Sequence, residues 1–220
     1  MNHESIQSFW NYFRKNNHAF LLLKEIPLKD LEVHFNKLSA QLNKYNGEIG
    51  FIIKNGKSIS EFIITAHGNP YLFKEVELLV YHAPVIERWK ITAFLQPDKN
   101  IAKYEDGTDK PFQFYGISLK ISEMYFLPLE EPNKPMDLGI CVYINNYIFH
   151  KDNQKLREGL YIQIEHLIGE KSFANDLAFI DIKQIPVTNT SLFQLCYLGS
   201  FIEDFKSENS KLNRNNILNL

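Results

Sequence analysis

The sequence predicts an α+β fold. Two ββαβ halves, split ferredoxin-like in organisation, are expected to pair into one mixed sheet with helices packed on it, flanked by N-terminal and C-terminal helices. Three observations lead there. Residues 61–97 read as strand, turn, capped helix and return strand. An Asn55-Gly56 pair separates two strand-like runs just before that unit. The order strand, strand, helix, strand then recurs over residues 112–186, with negligible residue identity between the halves.

Residues 1–47 form an N-terminal helical segment. Ile6, Phe9, Trp10 and Phe13 share one face of a helix over 4–15. The apolar run Phe20-Leu21-Leu22-Leu23 reads as a strand or a buried extended segment. Pro27 opens a second helix, whose stripe is Leu28, Leu31, Phe35, Leu38 and Leu42. Asn46-Gly47 is expected to stop it, with the glycine in a left-handed cap.

The first ββαβ half occupies 48–97. Asn55-Gly56 predicts a two-residue hairpin loop, because a type I′ turn needs positive φ at both positions. Phe62-Ile63-Ile64-Thr65-Ala66 is β-branched and apolar, as a strand covered on both faces is. Asn69 is a good N-cap and Pro70 suits the first helical position. Leu72, Phe73, Val76, Leu79 and Val80 then recur at helical spacing until His82-Ala83-Pro84 breaks the pattern. The return strand begins at Trp89 and ends before Pro97.

Residues 98–111 are charged and contain glycine, so they read as a linker loop. The second half, 112–186, starts with one long strand over 112–129, a turn over 130–135 and a strand over 137–148. A helix capped at Asp152 or Asn153 buries Leu156, Leu160, Ile164, Leu167 and Ile168, and Gly169 stops it. The strand over 177–183 closes the half. A last helix covers 187–206, and 207–220 is rich in Asn, Lys and Ser, as a flexible tail is.

Composition excludes several classes. The net charge is −2, and no dense Lys/Arg stripe marks a nucleic-acid footprint. Apolar stretches fall far short of the roughly 20 residues that span a bilayer, and the polar start is unlike a secretory leader. Cys141 and Cys196 lie in apolar contexts and read as buried free thiols. A cytoplasmic protein with neither a nucleic-acid nor a membrane partner is expected.

One local pattern carries a resemblance. Ile63-Ile64-Thr65-Ala66-His67-Gly68-Asn69, then Phe73, Val76, Ala83-Pro84, Trp89 and Ala93-Phe94, resembles a group of uncharacterised bacterial proteins. Ile168-Gly169-Glu170 is similar to the Leu-Gly-Glu turn in that group's second half. The organisation is also distantly similar to ferredoxin-like bacterial regulators such as the protein inhibitor of endonuclease E. The resemblance implies no activity, and fold analogy does not fix function.

Two places qualify as ligand-binding candidates. His67, Gly68 and Asn69 stand at a strand end before a helix N-terminus, where free amides can hold an anion. A phosphate loop supplies more glycines and a lysine, so a turn beside a cap is the simpler reading. His166 and Glu170 are four apart, beside Glu165, and facing imidazole and carboxylate groups can form an acid–base pair. Gly169 between them favours a solvated helix end. His82 and His150 are isolated and read as core or boundary residues. Asp106-Gly107-Thr108-Asp109 lacks calcium-loop spacing. Neither Glu123 nor Glu130-Glu131 is spaced as a glycosidase pair.

No catalytic residue, metal site or cofactor is predicted. Tyr115, Tyr125, Phe126, Tyr143, Tyr147 and Phe149 crowd the second half, as strand formers and protein-interface residues do. The sequence therefore points to a non-enzymatic protein-binding or regulatory domain, with a homodimer as one possible assembly. The alternative is a small-molecule-binding protein, or an enzyme of unfamiliar type, with its site in a cleft between the halves.

Overall fold

The computed structural model describes residues 3–23, 25–130, 137–187 and 191–218, the side chains of 130 and 210–218 excepted. The chain is mixed α and β and divides into two compact units, Met1–Leu95 and Gln96–Leu220.

The first unit begins with α1 (His3–Leu21) and α2 (Leu28–Asn43). The periodicity of Ile6, Phe9, Trp10 and Phe13 runs on through Ala19 and Phe20, so of the segment expected to be extended, Phe20 and Leu21 end α1 and Leu22 and Leu23 form the turn after it. A short apolar run fits a helix as well as a strand, and here the preceding turns decide. Pro27 stands at the N-cap of α2, but only Leu38 and Leu42 of its stripe are buried. Leu28 is exposed. Gly47 does not take positive φ. Tyr45 and Asn46 instead donate backbone bonds to the Leu42 carbonyl, and Asn46 Oδ1 accepts from the Glu48 amide at 2.8 Å.

Strands β1 (Gly50–Lys54) and β2 (Ser60–Thr65) pair antiparallel, α3 (Phe73–Tyr81) follows, and β3 (Trp89–Ala93) pairs parallel with β2. The register sets Lys54 opposite Glu61, so the connection is longer than two residues, and neither Asn55 nor Gly56 has positive φ. Gly56 serves another purpose there: a Cβ on it would lie 2.0 Å from the Ile59 carbonyl oxygen. The Asn69 side chain accepts from the Tyr71 amide at 3.1 Å and Pro70 starts a 3₁₀ turn that leads into α3, as the sequence predicts. Phe62 lies at the centre of the core, fully buried, with the rings of Phe9, Trp10, Phe13, Phe51 and Trp89 around it. Phe94 at φ 64° ends β3.

The second unit opens where a linker is expected. Residues 98–111 instead carry α4 (Ala102–Glu105), with Tyr104 buried in the unit's core. The Tyr104 hydroxyl donates to Asp98 Oδ2 at 2.8 Å, and Asp98 also pairs with Lys103. The long strand expected over 112–129 is broken into β4 (Phe112–Phe114), β5 (Ile117–Leu119), a 3₁₀ turn and β6 (Tyr125–Glu130). Tyr115 and Gly116, at φ 47° and 79°, form the two-residue loop between β4 and β5. The turn expected over 130–135 falls almost wholly outside the described residues.

After β7 (Leu138–Ile144) come α5 (Tyr147–His150), α6 (Gln154–Ile168), α7 (Glu170–Asp176), β8 (Phe179–Gln184), β9 (Phe193–Gln194) and α8 (Leu198–Leu218). Asn153 caps α6 by accepting from the Lys155 amide. Its buried face is the predicted one, with Gly159 added, where a Cβ would come within 3.1 Å of the Phe114 ring. Phe193–Gln194, expected in the last helix, is a short strand on β6, and the backbone of α8 continues helical to Leu218, within the segment predicted as a tail.

Each unit thus holds one ββαβ arrangement in which the hairpin's second strand is central. It pairs antiparallel with the strand before it and parallel with the strand after the helix. The expected single sheet is not formed. The described strands fall into three separate sheets, ordered β1-β2-β3, β4-β5 and β8-β7-β6-β9. Each ββαβ unit satisfies its own strands, and β9 takes the outer edge of β6.

Candidate functional site

The two sequence-predicted ligand sites resolve differently. His67 is exposed at φ 53°, its amide donates to Thr65 Oγ1 at 2.9 Å, and its ring covers Gly50, where a Cβ would meet Nε2 at 2.3 Å. Gly68 is left-handed at φ 73°, and Asn69 spends its side-chain oxygen on the cap. These three residues build the turn that starts α3. Asn69→Ala is expected to lower unfolding stability by about 1 kcal/mol through loss of the cap. Open space surrounds a Cβ at Gly68, so Gly68→Ala costs only the left-handed strain, about 1–2 kcal/mol, and Gly68→Val more. Denaturant titration of the three variants checks the order.

His166 stands half-buried in the last turn of α6, and Glu170 opens α7, fully buried. Gly169, at φ 83°, turns the chain between them, and its amide donates to the Glu165 carbonyl at 2.8 Å. Burial, followed by the charge of Glu170, holds the Glu165 carboxyl up at about 7. Half-buried Glu165 and fully buried Glu170 thus flank a helix break. No group of three or more His, Cys, Asp or Glu side chains able to hold a metal occurs among the described residues. Cys141 and Cys196 are buried free thiols.

A further concave surface lies in the first unit and was not predicted. It is a groove of about 410 Å³, within the range of ligand clefts, lined by His3, Ile6, Gln7, Trp10, Asn11, Arg14, His82 and Pro84. Its construction follows from helical periodicity. His3, Gln7, Asn11 and Arg14 are spaced by four, four and three, so they share one exposed stripe of α1 beside the buried Ile6 and Trp10. The facing wall is the end of α3, where His82 is the C-cap. Two contacts fix the walls to each other. The Trp10 indole N–H donates to the Leu79 carbonyl at 2.9 Å, and the His3 and His82 rings meet edge to face at 5.2 Å. Tyr81 and Val85, next to the wall residues His82 and Pro84, are 83% and 102% exposed.

Among the described residues, the ionisable ones of the lining are His3, Arg14 and His82, all basic types. Arg14 is exposed and pairs with no carboxylate among the described residues. Gln7 and Asn11 add amides that donate and accept. His82, expected from the sequence as an isolated core or boundary histidine, is exposed, and the polar spacing along α1 is legible in the sequence. The facing wall comes from some seventy positions further on, which only the fold supplies.

No family model matches this chain, and neither a curated protein nor a solved structure matches it. The local likeness over 61–97 therefore assigns no family, and function is read from the chain's own geometry.

Proposed function

We propose that this chain is a non-enzymatic protein-binding domain of regulatory type that receives its partner on the α1–α3 groove of the first unit. The carrying observation is a concave surface with two side-chain amides in its lining, whose residues His82 and Pro84 adjoin in sequence two largely exposed side chains, Tyr81 and Val85. Tyrosine is enriched among residues that dominate interface energetics. Burying a side chain such as Val85 contributes on the order of 1.5–3 kcal/mol. A cytoplasmic location fits the two free cysteines, since oxidising compartments favour disulfides. No helix among the described residues is long and apolar enough to cross a membrane.

Affinity capture from native lysate, quantified by mass spectrometry, tests this with the intact chain and its Tyr81→Ser/Val85→Ser variant. Both positions are exposed, so the variant is expected to unfold at the same denaturant concentration as the parent. A protein enriched by the parent and lost by the variant is the expected result. Capture that is indifferent to both substitutions contradicts the proposal.

A further inference from the structure

We infer that the groove takes an extended, acidic peptide segment of the partner, with carboxylates near both ends of the bound stretch. This deepens the proposed function and rests on it. Three properties of the lining lead there.

The first is length. From His3 to Arg14 the helix advances about 16 Å at 1.5 Å per residue, which matches about five residues of extended chain at 3.3 Å each. A single small ion leaves most of that track empty.

The second is the order of groups along it. His3 and His82 stand at one end and Arg14 at the other. Between them lie Gln7 and Asn11, whose amides can accept from a peptide N–H and donate to a peptide C=O. An extended peptide presents such groups in alternation, and a bound peptide needs them satisfied.

The third is charge. Basic types occupy both ends, and among the described residues no Asp or Glu lines the groove. The Arg14 guanidinium has its planar fork available for a carboxylate, and such pairs are bidentate and charge-assisted. A nucleic acid fits less well, because a regular phosphate chain calls for a continuous run of cations, whereas neutral amides occupy the middle here.

The test uses the intact chain and fluorescence anisotropy with a labelled, end-blocked peptide of about five residues, glutamate at both ends and Ala, Tyr and Leu between. A lysine-ended counterpart serves as the charge reversal. The glutamate peptide is expected to bind at least about tenfold more tightly than the lysine peptide, and Arg14→Glu to remove at least about tenfold of that affinity. Gln7→Ala/Asn11→Ala is expected to weaken the peptide but not free glutarate. These substitutions are on the exposed stripe, and unchanged urea unfolding confirms that the fold persists. Equal binding of the two peptides overturns the inference, as does indifference to Arg14→Glu. Competition by glutarate at the same concentration as the peptide shows a small-anion site and also overturns it. Tighter binding of a single-stranded oligonucleotide does the same. Equal binding of charge-reversed peptides alongside capture that depends on Tyr81 and Val85 sinks the acidic class alone, whereas capture that ignores Tyr81 and Val85 sinks the underlying reading.

Discussion

Phe62→Ala is expected to lower unfolding stability by about 3–5 kcal/mol, the range for deleting a fully buried aromatic ring. Phe62 lies on the central strand of its sheet, opposite Ile53 on one side and Ile91 on the other. Its ring stacks on Phe13 at 4.2 Å with the planes 8° apart, and Phe9, Trp10, Phe51 and Trp89 complete the surround. These neighbours come from α1, β1 and β3, so no single segment can move in to refill the space. The indoles of Trp10 and Trp89 are also anchored, the first on the Leu79 carbonyl and the second on Asn17 Oδ1 at 3.0 Å. The residual cavity therefore persists, and the cost falls in the upper part of the usual spread. Urea unfolding followed by tryptophan fluorescence measures it. A loss below about 1.5 kcal/mol means that the surrounding rings collapse inward and that Phe62 is not the keystone of this core.

Glu165→Gln is expected to stabilise the protein at pH 8 relative to its effect at pH 5, by on the order of 2 kcal/mol. The sign follows from linkage. Burial and the neighbouring Glu170 raise the Glu165 carboxyl from its ordinary 4.5 to about 7, so the folded state holds this proton more tightly than the unfolded chain does. Its favourable contribution is complete below about 4.5, declines as pH rises, and is lost once the pH passes about 7. The full shift corresponds to a somewhat larger figure at about 1.4 kcal/mol per unit, reduced because water reaches the half-buried side chain. Glutamine keeps the shape and the donor but cannot ionise. Other titrating groups are common to both proteins and cancel when the two are compared at each pH. Equal differences at pH 5 and pH 8 show that Glu165 ionises in the folded state as easily as in the unfolded one.

How far the sequence foretold the fold depends on how local each signal was. The cap at Asn69, the proline after it, the face of α3 and the return strand at Trp89 are properties of short segments, and all stand where periodicity and capping chemistry put them. The hairpin between β1 and β2 was recognised but its loop was not. Asn-Gly is a strong type I′ signal, yet the register with β2 leaves Gly56 to admit the Ile59 carbonyl instead. The left-handed pair occurs at Tyr115-Gly116, where a run of strand formers concealed it. The separation of the sheets was beyond reach because strand pairing between halves is a non-local choice. Residues 98–111 looked like a linker because charged residues dominate them, yet Tyr104 enters the core and Asp109 is buried as well.

The candidate site shows the same division. His67, Gly68 and Asn69 were legible as a turn beside a cap, and that is the role their geometry gives them. Glu170 was noticed beside His166, but its burial was not, since a carboxylate after a helix-ending glycine usually faces water. The stripe of His3, Gln7, Asn11 and Arg14 was readable as spacing alone. Without the end of α3 opposite, it is one more solvated helix face.

The most direct measurement of the central claim is a nuclear magnetic resonance titration of the isotope-labelled intact chain with the glutamate-ended peptide. The account predicts that the Trp10 indole and the Gln7 and Asn11 side-chain amides shift together on one binding curve, with the amide of His82 following them. Shifts confined to another surface, such as the start of α6 around Asn153 and Arg157, with those four signals unmoved, contradict it.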